Sequence, residues 1–456
     1  MHKEINIYGA GEIAKDIIKI IKESKIFSKI NVVVTELENN CGKCEQCKVY
    51  QYKEFIHKNF YEGITFIVAV AGKEGENIKK RLISDKVKKI ITVEEFREYL
   101  FSNLWRKRIN KNMIVFSNFD GKGYGDNPKY ICNKIDKSKY DCVWIVKDLN
   151  ESMPIGVRKV KYGSLEHYRA LAEAHFWVDN MHKNMITQKR LGQIYIQTWH
   201  GDGPLKKIEY DSDNLPQSYY DMINHDIKMI DYFISGSEFK TKQCKSAFRY
   251  NGCILEIGNP RNDIFFKRKD FKERIFPNLK EKKWILYAPT YREGKSNVID
   301  PYIIINRYKE KYNNDCVVLI KEHPNMTDRV NTYKYSDNVI NVNNYPDTQE
   351  LLVAADILIT DYSSIMWDYS LQQKLVILYH PDVKEYNEER GYYLPFEQLP
   401  YCEAFNINEV CDFIMNTDMQ EYKKRLSYFM ERYKSYDDGN AADRIDKLID
   451  DLNEWY

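Results

Sequence analysis

No run of about eighteen consecutive apolar residues occurs in this 456-residue chain, which excludes a membrane-spanning helix. Net charge is lacking as well. The 69 lysines and arginines are balanced by 67 aspartates and glutamates, leaving a formal +2, which argues against a general nucleic-acid binder. No low-complexity tract or internal repeat stands out, and no signal-peptide pattern precedes the first strand. A cytoplasmic protein is therefore expected, with any contact to the inner face of the cell membrane peripheral. Tryptophan is scarce, seven against 36 tyrosines and 20 phenylalanines, a bias that points to an AT-rich bacterial genome. No Asp-x-Asp motif points to a bound divalent ion. What is present suffices for a packed core: 43% hydrophobic and 30% charged residues, in a length of about three ordinary domains.

The ten cysteines are mostly scattered, several within apolar strands, as in a reducing compartment. The exception is Cys41-x-x-Cys44-x-x-Cys47. Three thiolates at that spacing suit a structural zinc or part of an iron–sulfur cluster. The fourth ligand is missing locally, so His57 or another chain would have to supply it; a loop of reduced cysteines is the competing reading.

The first hundred residues carry a strand–turn–helix fingerprint, Tyr8-Gly9-Ala10-Gly11-Glu12-Ile13-Ala14. Its glycines permit a tight turn and let the backbone approach a pyrophosphate. A second strand ends at Glu36, about where a ribose-binding acid would sit, and further strands are read at 65–71 and 89–93. The pattern predicts a Rossmann-like head over residues 1–104. Gly9, Gly11 and Glu36 mark its nucleotide site if it binds NAD, but a docking or scaffolding role is favoured, because fold alone does not supply function.

Beyond the charge run Trp105-Arg106-Lys107-Arg108 a different pattern begins. Two short apolar runs, 194–196 and 316–320, end in Gln197-Thr198-Trp199-His200-Gly201 and Lys321-Glu322-His323-Pro324-Asn325. Ligands of open α/β sheets bind just outside the carboxyl ends of the strands, so these histidines can face one cleft from two sheets. Either can take a proton from an attacking hydroxyl near neutral pH. Trp284-Ile-Leu-Tyr287-Ala288-Pro289-Thr290-Tyr291-Arg292 reads as another strand entering a loop; Arg292 can grip a diphosphate and Thr290 can donate a hydroxyl. Asp356 to Thr360, then Asp361-Tyr362-Ser363-Ser364, then Ile365 to Tyr369 with Asp368, reads as strand, polar turn and helix start. Asp361, Ser363 and Ser364 are N-cap types, and a helix N-terminus suits a phosphate.

Taken in order, the segments Thr198–Gly201 with Pro204–Lys207, Gly258–Asp263, Tyr287–Arg292, Lys321–Asn325, Asp356–Tyr369 and Tyr386–Tyr393 resemble the CDP-glycerol:poly(glycerophosphate) glycerophosphotransferases that build teichoic acids. The likeness runs from about Ile109 to the C-terminus. It implies an α/β glycosyltransferase-B fold of two Rossmann-like lobes: an acceptor lobe over 105–262 and a CDP-donor lobe over 263–456, whose last helix packs back on the first lobe. It matches His200 and His323 to the catalytic pair, and Thr290, Arg292, His323, Asp361, Ser363, Ser364 and Asp368 to the CDP-alcohol site. The implied partners are CDP-glycerol or another CDP-polyol, CDP-ribitol first, and a teichoic-acid-like or capsular acceptor. The loop after His200, Gly201 to Lys207, reads one residue longer than the family's run, and Leu399 to Glu403 replaces its proline-glycine-proline turn.

Acid–base chemistry and fixed cations account for such a transfer without a metal, so no cofactor is required. His200 is the preferred base, although the two histidine roles can be exchanged. An NAD-dependent oxidoreductase centred on the head and a catalytically silent nucleotide- or glycan-binding protein are the readings from other classes. For membrane contact the candidates are the basic, aromatic stretch Tyr422 to Met430 and the run Trp105 to Arg108; surface packing and a solvated linker are the favoured readings of each.

Overall fold

The structure, a computed structural model, describes residues 4–24, 27, 29–36, 42–56, 65–203, 205–213, 215–267, 270–290, 299–322, 334–381 and 391–455. Three sheets follow one another along the chain. The first contains β1 (Glu4–Tyr8), β2 (Lys29–Thr35), β3 (Gly42–Cys44), β4 (Cys47–Gln51), β5 (Thr65–Val68) and β6 (Lys89–Ile91), in the order β3-β4-β2-β1-β5-β6. Its pairings are parallel except the hairpin β3–β4.

The second sheet holds β7 (Asn110–Phe116), β8 (Asp141–Val146), β9 (Val157–Lys161), β10 (Ala174–Asp179), β11 (Ile194–Gln197), β12 (Tyr232–Ser235) and β13 (Cys253–Glu256). The third holds β14 (Lys283–Ala288), β15 (Cys316–Ile320), β16 (Val339–Asn341), β17 (Ile357–Thr360), β18 (Leu375–Tyr379) and β19 (Cys402–Ala404). They are ordered β13-β12-β11-β10-β7-β8-β9 and β16-β15-β14-β17-β18-β19. Among the described residues, all neighbouring strands in both sheets pair in parallel. Runs such as Cys316-Val-Val-Leu-Ile320, buried at every position, have no polar face because helices cover both sides.

The three units are joined by packing as well as by chain. Leu165, Tyr168, Ala172 and Ile186 of the second unit complete the core of the head. Arg97 of the head donates to the Met185 carbonyl (3.1 Å), and Arg190 donates to the Trp105 and Lys107 carbonyls (2.8 and 2.9 Å). The basic run at the junction is thus tied to the second unit by its own backbone. In the third unit the helix Met419–Tyr433 buries Tyr422, Leu426 and Phe429 in the sheet's core, so its apolar face is already covered by protein.

The terminal helix Ala441–Trp455 crosses back to the second sheet, where Ile445 and Ile449 join Ile114, Trp144 and Ile196. Its start is held from a distance: both oxygens of Asp263 accept from the Ala441 and Ala442 amides (2.9 and 2.8 Å). A carboxylate there satisfies orphan donors of the first turn. Asp263→Ala is therefore expected to remove about 1–2 kcal/mol from the attachment of this helix. Hydrogen exchange should quicken by roughly 5–30-fold in the terminal helix and stay unchanged in β14–β19. Unchanged exchange in the helix would remove Asp263 from that role.

Candidate functional site between the two lobes

His200 stands just past β11, on a backbone turned sharply by Trp199, a non-glycine residue at φ 52°. That left-handed turn is held on both sides. The Trp199 amide donates to Gln197 Oε1 (2.9 Å), and its carbonyl accepts from Asn127 Nδ2 (3.1 Å). The imidazole lies against the Trp199 indole (ring centroids 4.4 Å) and the Phe119 ring (5.0 Å). Its Nδ1 is 2.7 Å from the Asn180 carbonyl. A carbonyl only accepts, so Nδ1 carries the hydrogen and Nε2 keeps a lone pair. Burial lowers the His200 pKa; the Asn180 bond works against that shift, and Lys240 and Arg261 add to it. The neutral, base-competent form is favoured at neutral pH.

The donor-side turn meets this loop from the third unit. A Cβ built on Gly201 would lie 3.5 Å from Ser364 Oγ, an ordinary contact across the lobe boundary. Leu205 enters the core of the third sheet, while Lys207 donates to Gly391 O (2.9 Å) and Tyr393 to Leu205 O (2.8 Å). Lys206 Nζ lies 5.8 Å from the centroid of the Tyr362 ring. The stretch 205–207 and the stretch 391–393 thus fix each other beside the Asp361–Ser364 turn.

Within that turn Asp361 does not cap the following helix as expected. It accepts from the Thr290 amide (2.9 and 3.1 Å) and the Tyr362 amide (2.6 Å), tying the exit of β14 to the exit of β17. The helix Ile365–Ser370 has six residues, and its N-cap Ser364 makes no side-chain cap bond. A piece this short contributes little dipole, so any phosphate held here depends on local donors. One such donor is Thr290 Oγ1, which is buried with no partner among the described residues. Arg292 and His323 lie outside the described residues.

Asp368, expected at the donor site, is held by side chains of the lobe junction. Its oxygens accept from Arg261 Nε (2.9 Å) and Nη2 (3.3 Å), Asn262 Nδ2 (3.2 Å) and Gln349 Nε2 (3.0 Å). Arg261 also reaches Asp126 of the acceptor lobe (3.1 Å), and its amide donates to Asn127 Oδ1 (3.0 Å). The segment Gly258–Asp263 is therefore a clamp between the two lobes. Asn259 and Asn262 add bonds to Asp437 (2.6 and 3.1 Å). Burial pushes the Asp437 carboxyl up to about 7, with Asp202 and Asp368 adding to the rise against the bonds from Asn259 and Asn262.

In the head, Gly9 has φ +115°, with the Ala69 carbonyl 3.0 Å from where a Cβ would stand; above Gly11 the space is open. Glu36, the candidate ribose acid, accepts from Tyr8 Oη (2.7 Å) and pairs with Arg81 (2.7 Å). At Gly72 a Cβ would overlap the Asp221 carboxylate of the acceptor lobe, which fills that approach to the head's sheet edge. Cys44 is buried, its thiol 3.8 Å from the Ala10 carbonyl and opposite Cys47 in the β3–β4 hairpin. Cys41 and His57 lie outside the described residues, and among the described residues no group of three metal-ligating side chains forms. An Asp-x-Asp spacing passed over in the sequence, Asp211-Ser212-Asp213, falls at a surface turn where Asp211 accepts from Ser246 (2.7 Å) and Tyr393 (2.6 Å).

Two features escaped the sequence reading. Asn180, whose carbonyl sets the His200 tautomer, follows the buried run of β10 and carries the same strand-end signal as His200. Arg261 lies in Gly258–Asp263, read only as one of the segments that carry the resemblance, and nothing local marks its partners more than a hundred residues away.

Residues 99–451 match the model of the family described as CDP-Glycerol:Poly(glycerophosphate) glycerophosphotransferase. A teichoic acid poly(glycerol phosphate) polymerase of Staphylococcus epidermidis is 33% identical over 415 residues, 81% of this chain and 57% of that protein. The chain thus spans little more than half the length of that relative. A teichoic acid glycerol-phosphate transferase of Staphylococcus aureus is 31% identical over 394 residues, 81% of this chain and 100% of that protein. A solved structure of the wall teichoic acid polymerase TagF, soaked with CDPG, superposes with a TM-score of 0.71 at 31% identity, covering 84% of this chain and 100% of that one.

Removing one side of a buried charge pair leaves the other uncompensated, at a typical cost of about 3–5 kcal/mol. Arg261→Ala is expected to lose stability in that range in urea unfolding of the full chain. A loss below about 1 kcal/mol, the range of exposed pairs, would contradict the clamp.

Proposed function

The chain belongs to the CDP-glycerol:poly(glycerophosphate) glycerophosphotransferase family, and on that premise we propose that it transfers glycerol phosphate from CDP-glycerol to a hydroxyl of a teichoic-acid-like or capsular polymer. The acceptor oxygen attacks the phosphorus that carries the glycerol. The bond from that phosphorus to the bridging oxygen breaks, CMP leaves, and the hydroxyl proton passes to a base. The observation that carries this reading is His200, with its Nε2 lone pair at the end of β11 and its neighbour Gly201 against Ser364 of the opposite lobe.

His200 is the base. Its environment favours the neutral form, and the fixed Nδ1–H leaves one nitrogen for the proton. Arg292, His323, the Thr290 hydroxyl and the amides near Ser363 and Ser364 hold the diphosphate and the developing charge on CMP. Asp361 and Asp368 serve this site by holding loops, Asp361 through Thr290 and Asp368 through Arg261. Fixed cations and amides carry out the charge stabilisation with no cofactor. The head acts as a docking unit on the acceptor lobe, consistent with Glu36 paired to Arg81 and Asp221 seated at Gly72. The cytoplasmic face of the membrane is where a nucleotide donor and a wall or capsular acceptor meet, and contact with it is peripheral; no helix among the described residues is long and apolar enough to cross.

CMP release from CDP-glycerol with a phosphoglycerol primer tests the reading, with CDP-ribitol and a phosphoribitol primer as the second arm, since ribitol-phosphate primases are also relatives. His200→Ala and His323→Ala are each expected to lose about 10²–10⁴-fold in kcat. Turnover should persist in EDTA. Because the His200 pKa is lowered, the acid limb of kcat/KM should lie below the ordinary imidazole value of 6.5. Full activity in His200→Ala, or loss in EDTA, would contradict the proposal.

A further inference from the structure

Packed on Trp199, which also carries the His200 ring, lies a second buried histidine that the sequence reading did not single out. His182 Nδ1 is 2.8 Å from Asp226 Oδ2, and its Nε2 is 3.2 Å from Glu209 Oε2. All three side chains are almost fully buried. An ionised carboxylate can only accept, so both ring nitrogens carry hydrogen and the ring is an imidazolium. Trp199 packs on this ring at 5.0 Å between centroids and on Phe248 at 4.7 Å. Lys240 Nζ stands 5.6 Å from the Trp199 ring. The order through the lobe is therefore carboxylates, imidazolium, indole and then the His200 imidazole.

We propose that His182, fixed as an imidazolium between Asp226 and Glu209, is a positioning residue for His200, acting through the Trp199 indole against which the His200 ring stacks. Trp199 has a left-handed backbone and no polar bond from its ring is needed, so the indole is oriented by the faces packed on it. A doubly hydrogen-bonded cation gives one of those faces a single orientation, and the aromatic ring is attracted to its charge. Lys240, on the same side of the lobe, helps keep His200 neutral, the form in which Nε2 can accept a proton.

The surroundings bear on pH. Asp226 comes from the helix Gln217–Ile227 and Glu209 from the turn Glu209–Asp211, where Tyr219 Oη also donates to it (3.1 Å). Lys183 donates its amide to Asp226 (3.0 Å) and pairs its ammonium with Asp179. Lys240 faces from the helix Glu238–Ser246. Burial alone would lower the His182 pKa. The bonds to Asp226 and Glu209, with their charges, outweigh that and raise it to about 9. A raised pKa gives stability that is complete below the unfolded value near 6.5 and is lost as pH climbs through about 9.

The inference rests on His200 as the base, and the test separates the two. Imidazole nitrogen NMR of the full chain should find both His182 nitrogens protonated at pH 7.5, and a single protonated nitrogen overturns the inference. Glu209→Gln removes one anion. It should move the His182 titration to lower pH by about 1–3 units, displace the His200 ring signal, and carry the alkaline limb of kcat down by the same shift, with KM for CDP-glycerol unchanged. His182→Gln should lower kcat by about 10²-fold at unchanged KM. If that variant does not fold, Glu209→Gln carries the test. A His200 signal and an alkaline limb identical in wild type and Glu209→Gln overturn the positioning role. CMP release that survives His200→Ala overturns the proposed function instead, and the NMR comparison, which needs no turnover, still decides this one.

Discussion

Arg261 is the side chain on which the two-lobed arrangement depends. It is buried, and it joins Asp126 of one lobe to Asp368 of the other while its own backbone holds Asn127. A buried ion pair is weak evidence for net stability, because desolvation offsets much of the attraction. It is better evidence for fixed geometry, since a charge without its partner in that place is costly. Asn127 in turn holds the Trp199 carbonyl, so the clamp reaches the turn that carries His200. The lobe junction and the turn that carries His200 are parts of one hydrogen-bonded structure.

The same economy runs through the Gly258–Asp263 segment. Asn259 and Asn262 bind Asp437, Arg261 binds Asp368, and Asp263 starts the terminal helix that returns to the first lobe. Consecutive residues thus serve three connections between units far apart in sequence. Asp361 and Asp368, read in the sequence as donor-site residues, also bond to this framework.

The sheets were legible because their strands are short, β-branched and apolar on both faces, a pattern that only a covered parallel sheet explains. Cys316–Ile320 was read to its observed bounds, and the turn after Gln197 was placed at the carboxyl edge where it lies. The partners of buried charges were not legible. Arg261 to Asp368 and His182 to Asp226 and Glu209 are long-range pairs, and no local periodicity records them. Asp361 misled for a related reason: its position suits an N-cap, but Thr290 from a neighbouring strand offers its amide at 2.9 Å, and tertiary contact overrides the local preference. The head's glycine turn was read correctly as backbone geometry, with Gly9 at φ +115°, yet its Glu36 is already paired within the fold.

On the proposed function, one cleft closed by both lobes holds the diphosphate within reach of His200. A crystal structure of the full chain with CDP-glycerol, using His200→Ala to prevent turnover, tests it most directly. The diphosphate is expected beside Thr290 and the Ser363–Ser364 turn, with the glycerol-bearing phosphorus facing the space vacated by the imidazole. A nucleotide seated instead on the Gly9–Gly11 turn of the head, or on the donor lobe with its phosphates turned away from residue 200, would contradict it.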